Sequence, residues 1–331
     1  MRESREGAGR QRGFVLRRNL IIGLTPVVLA VIVLVGVNSM AGGQPVPGAA
    51  HPSSTPAPTT TTRTTTTQPP TTTRPADGDP LAPDEAAAGI EAAEATAPSK
   101  EQLGVAVLDR ASGKEIDGTD ASATFPCASV LKLFLITYLL HEQEQGALTL
   151  SQTDLTEIHS ALTISDDSAM DALWVKYHGA ASISQLIDIA HLPDAQMTSI
   201  ARSGKWGGVL ISARDVLTIY EYVLTKLTAT DRDLIIGDLN NANPVGYQGW
   251  NQAFGLLNPA TRTSTTKAKQ GWSGWFGQTV LHTTGIVDGQ DDVVVAILSS
   301  RPGSGSDAQF DVARQQVDDA TTALLSHLAP H

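Results

Sequence analysis

Residues 125–141 read FPCASVLKLFLITYLLH. From Ser129 to His141 the pattern is helical and very apolar, which predicts a buried helix. Ser129-Val130-Leu131-Lys132 puts a hydroxyl at the start of that helix and an amine one turn further on, within its reach. Free backbone N–H groups at a helix N-terminus favour a developing oxyanion. An S-x-x-K alone arises by chance about once per few hundred residues. Its context is stronger. Ser165-Asp166-Asp167 follows, and Lys269-Gln270-Gly271 comes near the end of a predicted strand.

Outward from this stretch the pattern alternates between sheet and helix. Pro83 to Ala97 predicts a first helix. Leu103–Leu108, a turn at Ala111-Ser112-Gly113 and a return at Lys114-Glu115-Ile116 predict a hairpin. Ser151-x-x-Asp154 and Ser212-x-x-Asp215 have the form of capping boxes, opening helices that run to about Thr163 and Leu227. Ser165 to Tyr177 continues helically. Strands are expected over Ser264–Lys269, Thr279–Val287 and Val293–Ser299, and a last helix over Asp307–Leu328. Strands near both ends, with helices between and outside them, predict one α+β domain. Its sheet is closed by the two chain ends, with a helical lobe inserted in the middle.

S-x-x-K, then S-D-N, then K-T-G is the signature of serine β-lactamases and penicillin-binding proteins. Over about residues 83–329 this chain resembles the class A side of that superfamily as a divergent member. The resemblance implies a β-lactamase/transpeptidase-like α+β fold: an antiparallel sheet flanked by N- and C-terminal helices, with an inserted helical lobe. It implies Ser129 as the acylated nucleophile, Lys132 as its base, Ser165 as a proton shuttle and Lys269 as a cation near the substrate carboxylate. Asp167, Gln270, Gly271, His282 and Thr284 fall where substrate would be bound. His282 and Thr284 share one face of their strand by its period of two, though a lone strand histidine is more often structural.

The departures from the pattern carry as much information. Asp167 stands where the family has Asn, and Gln270 replaces the Thr of K-T-G. The interval from nucleophile to second motif is shorter than in typical class A enzymes. The stretch 195–213, AQMTSIARSGKWGGVLISA, holds no Asp or Glu, although the family's deacylating glutamate belongs in that loop. A lysine acting as base near pH 7 needs a proton affinity about a thousandfold below that of a free amine, near 4 kcal/mol. An apolar helix face and the second cation Lys269 push that way; Asp167 within ~4–6 Å pushes back. Slow acylation and slower release are the expectation. Of the remaining groups, Asp166 is expected as a hydrogen-bond acceptor in a helical turn, Trp272, Trp275 and Phe276 as a packed hairpin corner or else as a group that stacks on a sugar or ring, and Cys127 as a small buried side chain.

The rest of the chain sets location. Residues 1–19 carry six Arg and two Glu ahead of Leu20–Val37, LIIGLTPVVLAVIVLVGV, which has no charge and nearly the ~20 residues that cross a bilayer. The basic head at 1–19 is expected in the cytoplasm, residues 20–38 as a transmembrane signal anchor, and the remainder outside. Ser39-Met40-Ala41 also offers a cleavage site, which would release the domain, and Arg17-Arg18 resembles a twin-arginine signal. Residues 39–82, rich in Pro and Thr, read as a disordered linker reaching on the order of 100 Å. Residues 83–331 then form the domain.

The formal charge of −11 is concentrated after residue 80, which argues against a nucleic-acid groove. One cysteine rules out a disulfide framework and a cysteine zinc site; Cys127 also lies too deep to carry an N-terminal lipid. Gly204, Gly207 and Gly208 do not make a phosphate loop, and no cofactor or metal is expected. The function implied is an exported, membrane-tethered acyl-serine hydrolase acting on a β-lactam or a peptidoglycan peptide. The alternative is a catalytically impaired cell-wall binding protein on the same scaffold; a weaker third reading is an esterase using the same Ser–Lys pair.

Overall fold

The computed structural model describes residues 80–275, 277–287 and 291–328. The expectations for the basic head, the apolar run and the linker lie outside the described residues. Helix α1 (Pro83–Glu94) leads into β1 (Gln102–Asp109) and β2 (Lys114–Asp117), the expected hairpin. A short β3 (Phe125–Pro126) and a 3-10 turn (Ala128–Val130) open α2 (Leu131–Glu144). The inserted lobe continues through α3 (Gln152–Thr163), α4 (Asp167–Lys176), α5 (Gly179–Ala190), the single-turn α6 (Ser199–Arg202), β4 (Leu210–Ile211), α7 (Ala213–Thr225) and α8 (Ala229–Asn240). The chain returns through β5 (Lys267–Ser273), β6 (Gln278–Ile286) and β7 (Val293–Pro302), and ends in α9 (Asp307–Leu328). No helix among the described residues is long and apolar enough to cross a membrane.

The main sheet is antiparallel, in the order β2-β1-β7-β6-β5. Both of its faces are covered, which explains the continuous apolar runs of β1 and β7. Val105 and Val107, with Val295 and Ile297, pack against Ile90 of α1 and Ala320 and Leu324 of α9. Their neighbours Ala106, Val294, Ala296 and Leu298 join the core of the helical lobe. Strand β5 is one of the sheet's two edges, and it borders the candidate site.

Both capping boxes are present: each serine accepts from the aspartate N–H three residues on, and each aspartate accepts in return from the serine N–H. Two expectations need correction. The strand carrying Lys269 begins at Lys267 rather than Ser264, because the hydroxyls of Thr263 and Thr266 bind their own backbone in a turn, Thr263 N donating to Thr266 Oγ1 at 3.0 Å. The helix expected from Ser165 begins only at Asp167. Ser165 has φ +59°, and Asp166 is the extended N-cap, accepting from Ser168 N at 2.8 Å and Ala169 N at 3.2 Å. Asp166 is thus the structural acceptor expected of it.

Candidate active site

The turn that carries Ser129 is fixed before the helix starts. Phe125 and Pro126 pair with Ile211 and Leu210, and Cys127 N donates to Val209 O at 2.8 Å. Ala128 then takes φ +46°, a left-handed conformation that a non-glycine residue adopts at a cost of about 1–3 kcal/mol. Ser129 follows in the 3-10 turn that runs into α2, so its backbone lies at the positive end of a buried helix.

Lys132 is fully buried, and its Nζ reaches four oxygens. Ser129 Oγ lies at 2.8 Å, Ser165 O at 2.8 Å, Ser165 Oγ at 3.3 Å and Asp167 Oδ1 at 2.6 Å. Ser165 O and the carboxylate only accept, so they take two N–H groups and leave one position facing Ser129. A neutral amine can accept the Ser129 proton there; an ammonium can donate to the same oxygen. Burial drives the proton affinity of Lys132 down, and the Asp167 carboxylate, with Asp166 and Asp171 further off, opposes it; the net direction is down. The Asp167 side chain is 54% exposed, so the pair is half in solvent.

Lys269 is also buried. Its Nζ donates to Ser165 Oγ at 2.8 Å and to Gln270 O at 3.1 Å. Burial first, and then the nearby Lys132 ammonium, hold it well below an ordinary lysine. Ser129, Lys132, Ser165 and Lys269 therefore form one continuous hydrogen-bonded chain.

The other sequence-derived candidates separate. Gly271 lies under the Ser129 turn: a Cβ there would stand 3.0 Å from Val130 Cγ2 and 3.3 Å from both Cys127 O and His282 Cδ2. Its role is close approach. Gln270, His282 and Thr284 are buried, and each hydrogen-bonds within the fold. Gln270 is buried on the opposite side of β5 from Lys269, its amide donating to Phe254 O. His282 is wholly buried: Nε2 lies 2.9 Å from Pro126 O, and Nδ1 accepts from Ser299 N at 3.2 Å. Thr284 Oγ1 donates to Lys269 O at 2.9 Å and meets Tyr220 Oη at 3.1 Å. These are braces. Cys127 is a buried small side chain as expected, and burial pushes its thiol well up.

A cleft of about 530 Å³ opens over Ser129, lined by Asp167, Asp171, Lys205, Trp206, Trp272 and Trp275 among others. A second hollow, bounded by Tyr247 and Trp250, shares Asp167, Asp171 and Trp272 with it. Trp250 and Trp272 stack at 4.2 Å, and the Lys205 ammonium sits 5.0 Å from the Trp275 ring. Of the two readings for the aromatic group, Trp272 packs on Trp250 while Trp275 is 54% exposed; Phe276 lies outside the described residues. Sequence reading missed Asp171, Trp206, Tyr247 and Trp250. The available signal for Trp206 was its place as the one aromatic in a loop where a catalytic carboxylate was sought.

No family model matches the chain. Over 218 residues it is 30% identical to a Mycobacterium tuberculosis protein described as "Putative lipoprotein LppW", covering 64% of this chain and 67% of that one; the Mycobacterium bovis counterpart matches equally. Among solved structures, a beta-lactamase from Chitinophaga pinensis superposes with TM-score 0.56 at 17% identity, over 74% of this chain and 100% of that chain. The TLA-3 extended-spectrum beta-lactamase gives 0.58 at 15%, over 75% and 100%. PBP-A gives 0.56 at 18%, over 77% and 100%. Identities this low establish the shared fold, and that fold is the β-lactamase/penicillin-binding one expected from the motifs. On the sequence match, the chain belongs to the family of the mycobacterial LppW proteins, built on the β-lactamase scaffold.

Proposed function

We propose that this is an acyl-serine protein of the β-lactamase and penicillin-binding type, which accepts the acyl group of a β-lactam or a peptidoglycan peptide on Ser129 and releases it slowly. The observation that carries this reading is the 2.8 Å contact between Ser129 Oγ and the buried Lys132 amine, continued through Ser165 Oγ to Lys269. In the reaction, Ser129 Oγ gives its proton to neutral Lys132 and attacks the carbonyl carbon. The backbone at the start of α2 faces the developing oxyanion. The carbon–nitrogen bond then breaks, and the amine takes a proton from Ser165 Oγ, which is replenished from Lys132. Release needs water activated by a base, and the 195–213 loop supplies none. Missing base assistance costs roughly 10²–10⁴ in rate.

The direct test is intact mass spectrometry after incubation with a fluorescent penicillin. The expected result is a slow shift by the mass of the penicillin, stable for hours and absent in Ser129→Ala. No shift in the wild type or in Asp167→Asn defeats it. The second reading, a binding protein without covalent turnover, is favoured by one contact: the 2.6 Å Asp167–Lys132 ion pair, which favours the protonated form of the base.

For location, we infer a membrane-associated protein acting outside the cytoplasm. The name of the LppW relatives and the Leu20–Val37 run both support this. A lipid on Cys127 is incompatible with its complete burial beside the nucleophile, so the apolar run is the proposed anchor and residues 39–82 its tether. The domain is proposed to occupy residues 83–331.

A further inference from the structure

Trp206 joins three parts of the site. Its indole Nε1 donates to Asp171 Oδ1 at 2.7 Å, tying the loop to α4. Its carbonyl accepts from Val209 N at 3.1 Å and from the Cys127 thiol at 3.6 Å, tying it to the Ser129 turn. Its ring centroid lies 4.9 Å from Lys132 Nζ. Trp206 also lines the open cleft, whereas Lys132 is fully buried although its partner Asp167 is 54% exposed. The indole is therefore part of the wall between the Lys132 amine and cleft solvent.

We propose that Trp206, held in place by Asp171, is a positioning residue that seals Lys132 from cleft water, and so sets both the proton affinity of Lys132 and the lifetime of a Ser129 adduct. The second half rests on the acylation reading above; the first half does not. Several charged or titratable groups face this amine. Asp166, Asp167 and Asp171 come from α4 and its cap, Lys269 from β5, and the buried Cys127 thiol from the Ser129 turn. The three carboxylates favour the ammonium. A ring facing a cation favours it too, but the same ring excludes water, which disfavours it. Burial prevails over the carboxylates in the net direction at Lys132. For the ring to act as a seal, its share of that burial must exceed its attraction for the ammonium.

Removing the ring should accordingly move two steps in opposite directions. Lys132 holds its proton more tightly, so acylation at neutral pH slows. Water also reaches the ester from the side that the indole closes, so the adduct, slow to release for want of a base, is hydrolysed faster. A residue that only props the cleft open would slow the first step and leave the second alone.

The test uses the full chain in detergent, labelled with [13Cε]lysine, with Lys132 assigned by its loss in Lys132→Arg. In Trp206→Ala the Lys132 titration midpoint should rise by about one pH unit, a tenfold gain in proton affinity, and the fluorescent-penicillin adduct should decay about tenfold faster. Trp206→Phe, which keeps the ring, should stay close to wild type in both. Should the alanine variant unfold, Trp206→Leu gives the same reading with a smaller rise. An unchanged midpoint overturns the proposal, as does an unchanged adduct lifetime. A shifted midpoint in a protein that forms no adduct at all defeats the acylation reading and leaves the assignment of Trp206 to Lys132 standing.

Discussion

Lys132 answers to two neighbours with opposite effects. Its burial strips water from the ammonium and lowers its proton affinity, as a base for Ser129 requires. Asp167, 2.6 Å away, restores part of that affinity. A neutral amide at this position removes the charge and supplies a donor. Acylation needs neutral Lys132, so its rate rises with pH through the Lys132 midpoint. Asp167 holds that midpoint up, and Asp167→Asn should move it to lower pH. At pH 7 the substitution should then speed acylation by about tenfold or more, since a carboxylate at this range shifts its partner by roughly 1–3 pH units. The mass shift followed over time at several pH values decides it. Equal rates and equal midpoints in the two proteins would mean that the carboxylate does not control the base. The same residue explains why a motif match alone says little about turnover: Ser129 and the proposed relay through Lys132, Ser165 and Lys269 are hydrogen-bonded together, and one oxygen-for-nitrogen exchange alters the charge beside Lys132.

At the scale of elements, the site depends on β5 lying directly against the turn that carries Ser129. Gly271 permits this, with Val130, Cys127 O and the His282 ring around the place a Cβ would take. The ring is pinned at both nitrogens and Cys127 O belongs to the turn backbone, so neither neighbour yields without moving Ser129. Gly271→Ala should cost about 1–2 kcal/mol of stability by overpacking and should slow acylation by more than the stability loss explains. Urea unfolding and adduct kinetics on one preparation compare the two; wild-type acylation in the variant would show that the turn tolerates the shift. Much of this arrangement was legible in sequence. The apolar run after Ser129, the two capping boxes and the alternating faces of β1 and β7 depend on local pattern, and those elements appear where pattern put them. What pattern does not encode is which side chains a crossing element meets. Gln270 follows Lys269 in the motif, yet the pleat sends it to Phe254 on the far side. His282 has the right period to face the cleft, yet β3 covers it. Trp206 and Asp171 meet across a gap of 35 residues that no periodicity spans.

In the whole molecule, the sheet and the helical lobe share a face, and His282 sits in that face as a neutral crosslink. It binds Ser299 N of β7 on one side and Pro126 O of β3 on the other. Complete burial pushes its pKa down to about 4, against an ordinary value of 6.5. The sign of the consequence follows from proton counting. Between these two values the unfolded chain takes up a proton that the native protein excludes, so stability falls as pH falls. The full loss is about 3 kcal/mol, developed as pH drops from about 6.5 to about 4. Carboxyls that burial holds up work in the other direction over part of the same range, Asp231 at about 7 among them, because their native forms bind protons first. Subtracting one protein from another removes their contribution. Urea unfolding at pH 7 and pH 4.5 should show a larger fall for the wild type than for His282→Gln, which keeps hydrogen-bonding capacity but does not titrate. The difference should approach 2–3 kcal/mol, about 1.4 for each pH unit of the histidine's displacement crossed. Parallel losses in the two proteins would mean that the imidazole is protonated, or wet, in the native state. A protonated ring has no acceptor left for Ser299 N, so Pro126 O alone would tie the imidazole to its surroundings, and the Ser129 turn that follows Pro126 would lose its link to β7.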